Sequence, residues 1–193
     1  MTGTVRKATL VALLVVAAVG LSGCSYNRFV GQEEAIKAQW AQVENQLQRR
    51  NDLIPNLVST VEGYATHERE VLTQVTAHRA DAVQGGSVAA TAQADMAMTG
   101  MLGRLMAVAE AYPQLKADAN FRQLQDELTE VEDNLQSARR YYNATVRDLN
   151  TRIQSFPNVL VARPMGFSEE EFYTDTDASI QTAPVVKFGE AKA

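Results

Sequence analysis

Apolar side chains recur at helical spacing through most of the chain between residues 33 and 157. Ile36, Trp40, Val43 and Leu47 step by fours and threes. Beyond Arg50 the stripe resumes with Ile54, Leu57, Val61 and Tyr64, and Leu72 and Val75 carry it towards residue 80. That spacing marks one face of a helix rather than the alternation of a strand. Glu33, Glu34, Lys37, Gln42, Glu44, Asn45 and Gln48 fill the other face, which is expected to be solvated. A longer seam follows: Phe121, Leu124, Leu128, Val131, Leu135, Ala138, Tyr142, Thr145, Leu149, Arg152 and Phe156. It predicts a helix of about 36 residues, ~54 Å long, stopped at Phe156-Pro157. A heptad seam wants a partner of matching length, and residues 33 to 80 supply one. The predicted fold is therefore all-α, an elongated antiparallel bundle of long heptad-patterned helices over residues 33–157. Self-association into a homo-oligomer through the same seam is the alternative.

Two interruptions shape this pattern. Pro55 removes the backbone bond to the carbonyl four residues back, which predicts a kink or restart near Asn51 and Asp52. Arg49, Arg50, Asn51 and Asp52 form, with Pro55, the most unusual polar stretch of the chain. They are read as satisfying the freed backbone groups, with a binding spot as the alternative. The second interruption, Gln84-Gly85-Gly86-Ser87, predicts a turn with Ser87 capping a helix from Val88 to Tyr112. On that helix Met98, Leu102, Leu105, Ala109 and Tyr112 share a face. Gly100 and Gly103, each costing about 1 kcal/mol relative to Ala, suggest that another backbone passes close by. The methionines 96, 98, 101 and 106 suit adaptable core filling. The other use of such residues is to hold a small hydrophobic or peptide ligand between helices.

Residues 158–193 lose periodicity and are expected to form an irregular C-terminal tail. The Ser168–Glu171 spacing predicts a short capped helical turn there. Pro184-Val185-Val186-Lys187-Phe188 is expected to pack on the bundle, or else to be captured by a partner as an added strand.

The N-terminus has a different character. Arg6 and Lys7 precede an apolar run from Ala8 to Leu21, followed by Ser22, Gly23 and Cys24, the single cysteine. A basic start and an apolar run of this length read as a secretory signal, short for a membrane span of ~20 residues. Leu21-Ser22-Gly23-Cys24 resembles the bacterial lipobox, in which the cysteine thiol is lipidated and becomes the new N-terminus. The expected organisation is a signal peptide over 1–23, a membrane-proximal tether over 24–32, the bundle, and the tail. Several acyl chains at Cys24 would hold the body on the membrane, since each buried methylene adds ~0.8 kcal/mol. The alternative is an uncleaved single-pass helix. Either way the positive charges keep the N-terminal end inside and the body extracytoplasmic.

Charge and composition narrow the function. A net charge of −5, more acidic still without Arg6 and Lys7, argues against nucleic acid, which requires clustered Lys and Arg. His67 and His78 are the only histidines. Eleven residues apart on one helix they would stand ~16 Å apart, beyond joint metal coordination. His67-Glu68-Arg69-Glu70-Val71 starts like a zinc-protease helix but ends in Val. No glycine-rich phosphate loop or Gly-x-Ser-x-Gly elbow occurs. No catalytic residue, metal or cofactor is expected.

Several stretches carry a family likeness: Tyr26-Asn27, Trp40 through Val58 (WAQVENQLQRRNDLIPNLV), Gly63 to Glu68, Ala111 to Lys116, Phe121 to Leu128, Ala138 to Asn143, Phe156-Pro157 and Ala183 to Phe188. In these the chain resembles the LemA family. The resemblance implies a membrane-anchored, elongated helical bundle of the bacterial envelope with no catalytic residues to carry over. One branch of the family is associated with magnetosome formation, and members are discussed alongside envelope proteases. Most members look as though they retain an N-terminal transmembrane helix, where this chain has Cys24. The expectation is a non-enzymatic scaffold or adaptor with an envelope protein as partner.

Overall fold

The computed structural model describes residues 2–65, 67–82 and 86–174, with side chains described for 25–65, 67–79 and 86–174. The side chains of Leu21, Ser22, Gly23 and Cys24, and the whole of Pro184–Phe188, lie outside the described residues. Four substantial helices build the molecule: α1 (Thr2–Glu62), α2 (Arg69–Ala82), α3 (Val88–Ala111) and α5 (Ala119–Gln154). Two short ones, α4 (Pro113–Ala117) and α6 (Val159–Ala162), make corners. No strand occurs among the described residues, and the fold is the expected all-α bundle. The long seam forms a single helix of 36 residues, capped by the Asp118 carboxylate accepting from Phe121 N–H at 3.0 Å.

Chain direction follows from cross-helix contacts. Trp40 stacks near Tyr142 at 5.3 Å, Arg50 reaches Glu132, and Tyr64 reaches Asp118, so α1 and α5 run antiparallel along their length. The apolar stripe does not continue along one helix to residue 80. The helix stops at Glu62, and α2 folds back so that Arg79 lies against Asn51. Helix α3, capped by Ser87 as expected, returns alongside. The order is up-down-up-down.

The core is in two parts. One cluster gathers Ile54, Leu57 and Val61 of α1 with Leu72 and Val75 of α2, Met98, Leu102 and Leu105 of α3, and Phe121 and Leu128 of α5. All four long helices line this half. The other gathers Phe29, Ile36 and Val43 of α1 with Leu135, Tyr142, Val146, Leu149 and Ile153 of α5. Here α3 contributes only its first turns, through Ala92 and Val88, and the remaining side is closed by Ala162, Phe167 and Tyr173. Residues 25–32, expected as a tether, belong to α1, and Phe29 is fully buried against Phe167 at 4.8 Å between ring centroids.

Three expectations need correction. Gly100 and Gly103 face open space: a Cβ on either would meet nothing within 4 Å, so no backbone passes near them. Their side of α3 is solvent, where only the helix-propensity cost remains. Ser168–Glu171 forms no helical turn. It lies in an extended strap, residues 167–174, held by bonds from α5 that a helix would have consumed internally. Gly166, at φ 89°, makes the bend into that strap, a backbone region open to glycine at no steric cost. The chain does not restart at Asn51 and Asp52 either, since α1 runs through Pro55.

Candidate functional site

Arg50 occupies an apolar-stripe position of α1, in phase with Leu47 before it and Ile54 after it. A cation there must be paired or excluded. It is 1% exposed and lies between the two apolar clusters. Its partner is Asp95, which falls on the α3 face shared by Ala92 and Met98 and is 2% exposed. Arg50 Nη2 stands 2.6 Å from Asp95 Oδ1, a close ion pair rather than an aligned hydrogen bond. Arg50 Nη1 donates to Glu132 Oε1 on α5 at 3.1 Å and lies 3.4 Å from the Thr99 hydroxyl. The other carboxylate oxygen of Asp95 accepts from Arg139 Nη2 of α5 and from the Tyr173 hydroxyl of the strap. The Arg139 guanidinium also lies 5.0 Å from the Tyr173 ring centre. Two cations thus face two anions in a layer joining α1, α3, α5 and the strap.

The strap is held by amide clamps. Asn150 donates Nδ2–H to Glu170 O and accepts from Glu170 N–H, both at 2.9 Å. Asn143 does the same with Tyr173, at 2.9 and 2.8 Å. Seven helical residues advance ~10.5 Å and three extended residues ~10 Å, so the two repeats match. Between the clamps the Tyr142 hydroxyl donates to Glu171 O at 2.9 Å. Burial, with the Glu170 and Glu171 charges nearby, pushes its pKa up to about 12.

The polar stretch noted in the sequence is only partly gathered here. Arg50 and Asn51 are buried, whereas Arg49 and Asp52 are exposed. Arg49 pairs with Glu130 at 3.3 Å, and Asp52 accepts from Gln48. The carbonyl that Pro55 deprives of a donor, that of Asn51, is satisfied from α2: Arg79 Nε donates to it at 3.0 Å. Arg49 and Arg50 do not serve that purpose. Asp95, Arg139, Glu132, Asn143, Asn150 and Tyr173 were not singled out from sequence. Asp95 carried a signal, being the only ionisable side chain between Val88 and Gly103 and in phase with Met98 and Leu102.

The charges of the layer are paired among its own members, Arg50 and Arg139 with Asp95 and Glu132. Among the described residues no group of three His, Cys, Asp or Glu side chains is placed to hold a metal ion. Towards the N-terminal side lies a surface groove of about 460 Å³, lined by Ile36, Trp40, Val88 and Tyr142 with Glu33, Lys37 and Glu170. Of the methionines, Met98 is fully buried and 96, 101 and 106 half-buried, as core filling requires.

Comparison with known proteins finds the LemA family model matching residues 39–188. Magnetosome protein MamQ 2 of Paramagnetospirillum magneticum is 27% identical over 203 aligned residues, covering 91% of this chain and 75% of the relative. Magnetosome protein MamQ of Magnetospirillum gryphiswaldense is 26% identical, covering 79% of this chain and 66% of the relative. Protein LemA of Metamycoplasma hominis is 24% identical, covering 74% and 69%.

Proposed function

The chain belongs to the LemA family, and from that premise we propose that it is a non-enzymatic helical scaffold of the bacterial envelope, fastened to the membrane by its N-terminal region. The observation that carries this reading is the course of α1. One helix leads from the apolar N-terminal run into the buried core, where Arg50 is locked to Asp95 of α3 and Glu132 of α5, and Asp95 in turn to Tyr173 of the strap. An anchor at one end of such a helix positions the whole body, as a scaffold requires and a flexible tether would not. The names of the magnetosome relatives denote members of an assembly rather than a reaction, which supports the same reading. The anchor is lipid on Cys24, with an uncleaved helix as the alternative. Among the described residues no helix is long and apolar enough to cross a membrane.

The test is crosslinking in intact cells from the exposed faces of α1 and α5, followed by identification of captured proteins. A reproducible envelope partner is expected; its absence contradicts the scaffold. Cys24→Ala should abolish lipid labelling and leave unprocessed precursor, whereas normal processing contradicts the lipobox. The groove beside Trp40 favours a second reading, capture of a small apolar or peptide ligand, because its volume falls within the range of ligand pockets. A change in Trp40 fluorescence on adding such a ligand would support it.

A further inference from the structure

We propose that the corner between α5 and α6, residues 156–160, is a second membrane contact, seating Phe156 and Leu160 in the bilayer interface beside the N-terminal anchor. The inference rests on the membrane-anchored reading and holds whether the anchor is lipid on Cys24 or a retained helix. Phe156 is 81% exposed and Leu160 64%. Isolated exposed apolar residues need no explanation, but the place of these two does. From the Trp40–Tyr142 contact, fourteen residues back along α1 is Tyr26, and fourteen forward, two past the end of α5, is Phe156. The antiparallel helices therefore bring Phe156 level with Tyr26. Tyr26 is itself half exposed, and its ring packs 5.5 Å from Phe167, just beyond α6.

Along a helix Tyr26 stands ~3 Å from Cys24 and ~7.5 Å from Leu21, where the apolar run ends. Interfacial side chains penetrate ~5–10 Å, so a bilayer holding either anchor lies within reach of this corner. Arg28 and Arg163 are exposed at the same end, where lipid phosphates would meet them. With a net charge of −5, the chain gains little from general electrostatic adhesion, and the apolar corner supplies the contact. Two attachment points restrain tilt, which a single anchor leaves free.

The experiment uses the full chain in phosphatidylcholine vesicles carrying some phosphatidylglycerol, with and without brominated acyl chains. Phe156→Trp and Leu160→Trp are compared with the parent, whose only tryptophan, Trp40, lies ~21 Å further from the bilayer. Bromine should quench the added emission at 156 and 160 by about half if those rings reach the interfacial depth, and leave parent emission unchanged. Tyr141→Trp, equally exposed but ~22 Å up α5 from Phe156, should also stay unquenched. Flotation with the vesicles without quenching at 156 and 160 overturns the corner contact alone. Equal quenching at 141 and 156 overturns it as well, since the body would then lie flat. Failure to float overturns the anchored reading and the contact with it.

Discussion

The two halves of the bundle solve one packing problem with different means. Beyond the polar layer, towards Glu62 and Ala119, four helices enclose a core of aliphatic side chains around Leu57, Leu105 and Phe121. Towards the N-terminal run, α1 and α5 go on with only the first turns of α3 beside them. A two-helix face of this length would leave Val43, Tyr142 and Leu149 half in water, at a cost of about 25 cal/mol per Å² of apolar surface. The strap covers them instead. Being extended, it cannot satisfy its own backbone, so Asn143 and Asn150 on α5 supply the missing partners. A single chain can thus thicken a bundle where it runs out of helix, provided the supporting helix presents amides at the right interval.

The largest expected effect lies at the boundary between the halves. Asp95→Ala leaves the buried Arg50 with Glu132 as its remaining charged partner and removes the acceptor of the Tyr173 hydroxyl, so denaturant titration should show about 3–5 kcal/mol lost. Replacing Arg50 and Asp95 together by Met and Leu should cost far less and could stabilise. A loss as large from the double variant would mean that the layer does more than balance its own charges.

Next come paired substitutions, one in each half. Leu105→Ala empties a site fully buried among four helices and should cost about 2–5 kcal/mol. Asn150→Ala removes one clamp and should cost about 1–3 kcal/mol, since two backbone groups of Glu170 lose their partner. Equal costs would contradict a strap that is locally held.

Smaller effects distinguish the ends by pH. Tyr142 holds its proton more tightly in the fold than its ordinary value of 10.0, up to about 12. The stability this reflects is present below pH 10 and is lost as pH rises through that window, because unfolded tyrosine ionises first. Thermal melts of the parent should fall across this range, and Tyr142→Phe should flatten the fall at a cost of about 1 kcal/mol at neutral pH.

Asp118, at the far end, has its pKa held below the ordinary 3.8 by the Phe121 amide first and the Tyr64 hydroxyl next. Its contribution is present above the unfolded value and vanishes as pH drops through the folded one. Asp118→Ala should therefore lower the melting temperature slightly at neutral pH and have no effect in strong acid.

These contrasts also separate what the sequence disclosed from what it withheld. The threes and fours of α5 specified its length, since no competing structure satisfies five heptads. Ser87 and Pro113 marked ends by local chemistry alone. Arg50 stood out as a charge inside a stripe, but its partner lay 45 residues away on a helix whose order of packing no local pattern records. The break at Glu62 was hidden because the α2 residues continue the apolar phase of α1. The strap was least visible: extended backbone clamped by side chains leaves neither a helical nor a strand period. Only the interval of seven between Asn143 and Asn150 hinted at it.

Hydrogen exchange at the backbone amides of Glu170 and Tyr173 tests this account most directly. If Asn143 and Asn150 clamp the strap as a substitute for missing helices, both amides should exchange far more slowly than an open chain. That protection should disappear in the Asn143→Ala, Asn150→Ala double variant while amides around Leu105 keep theirs. Exchange at open-chain rates in the unaltered protein would contradict it.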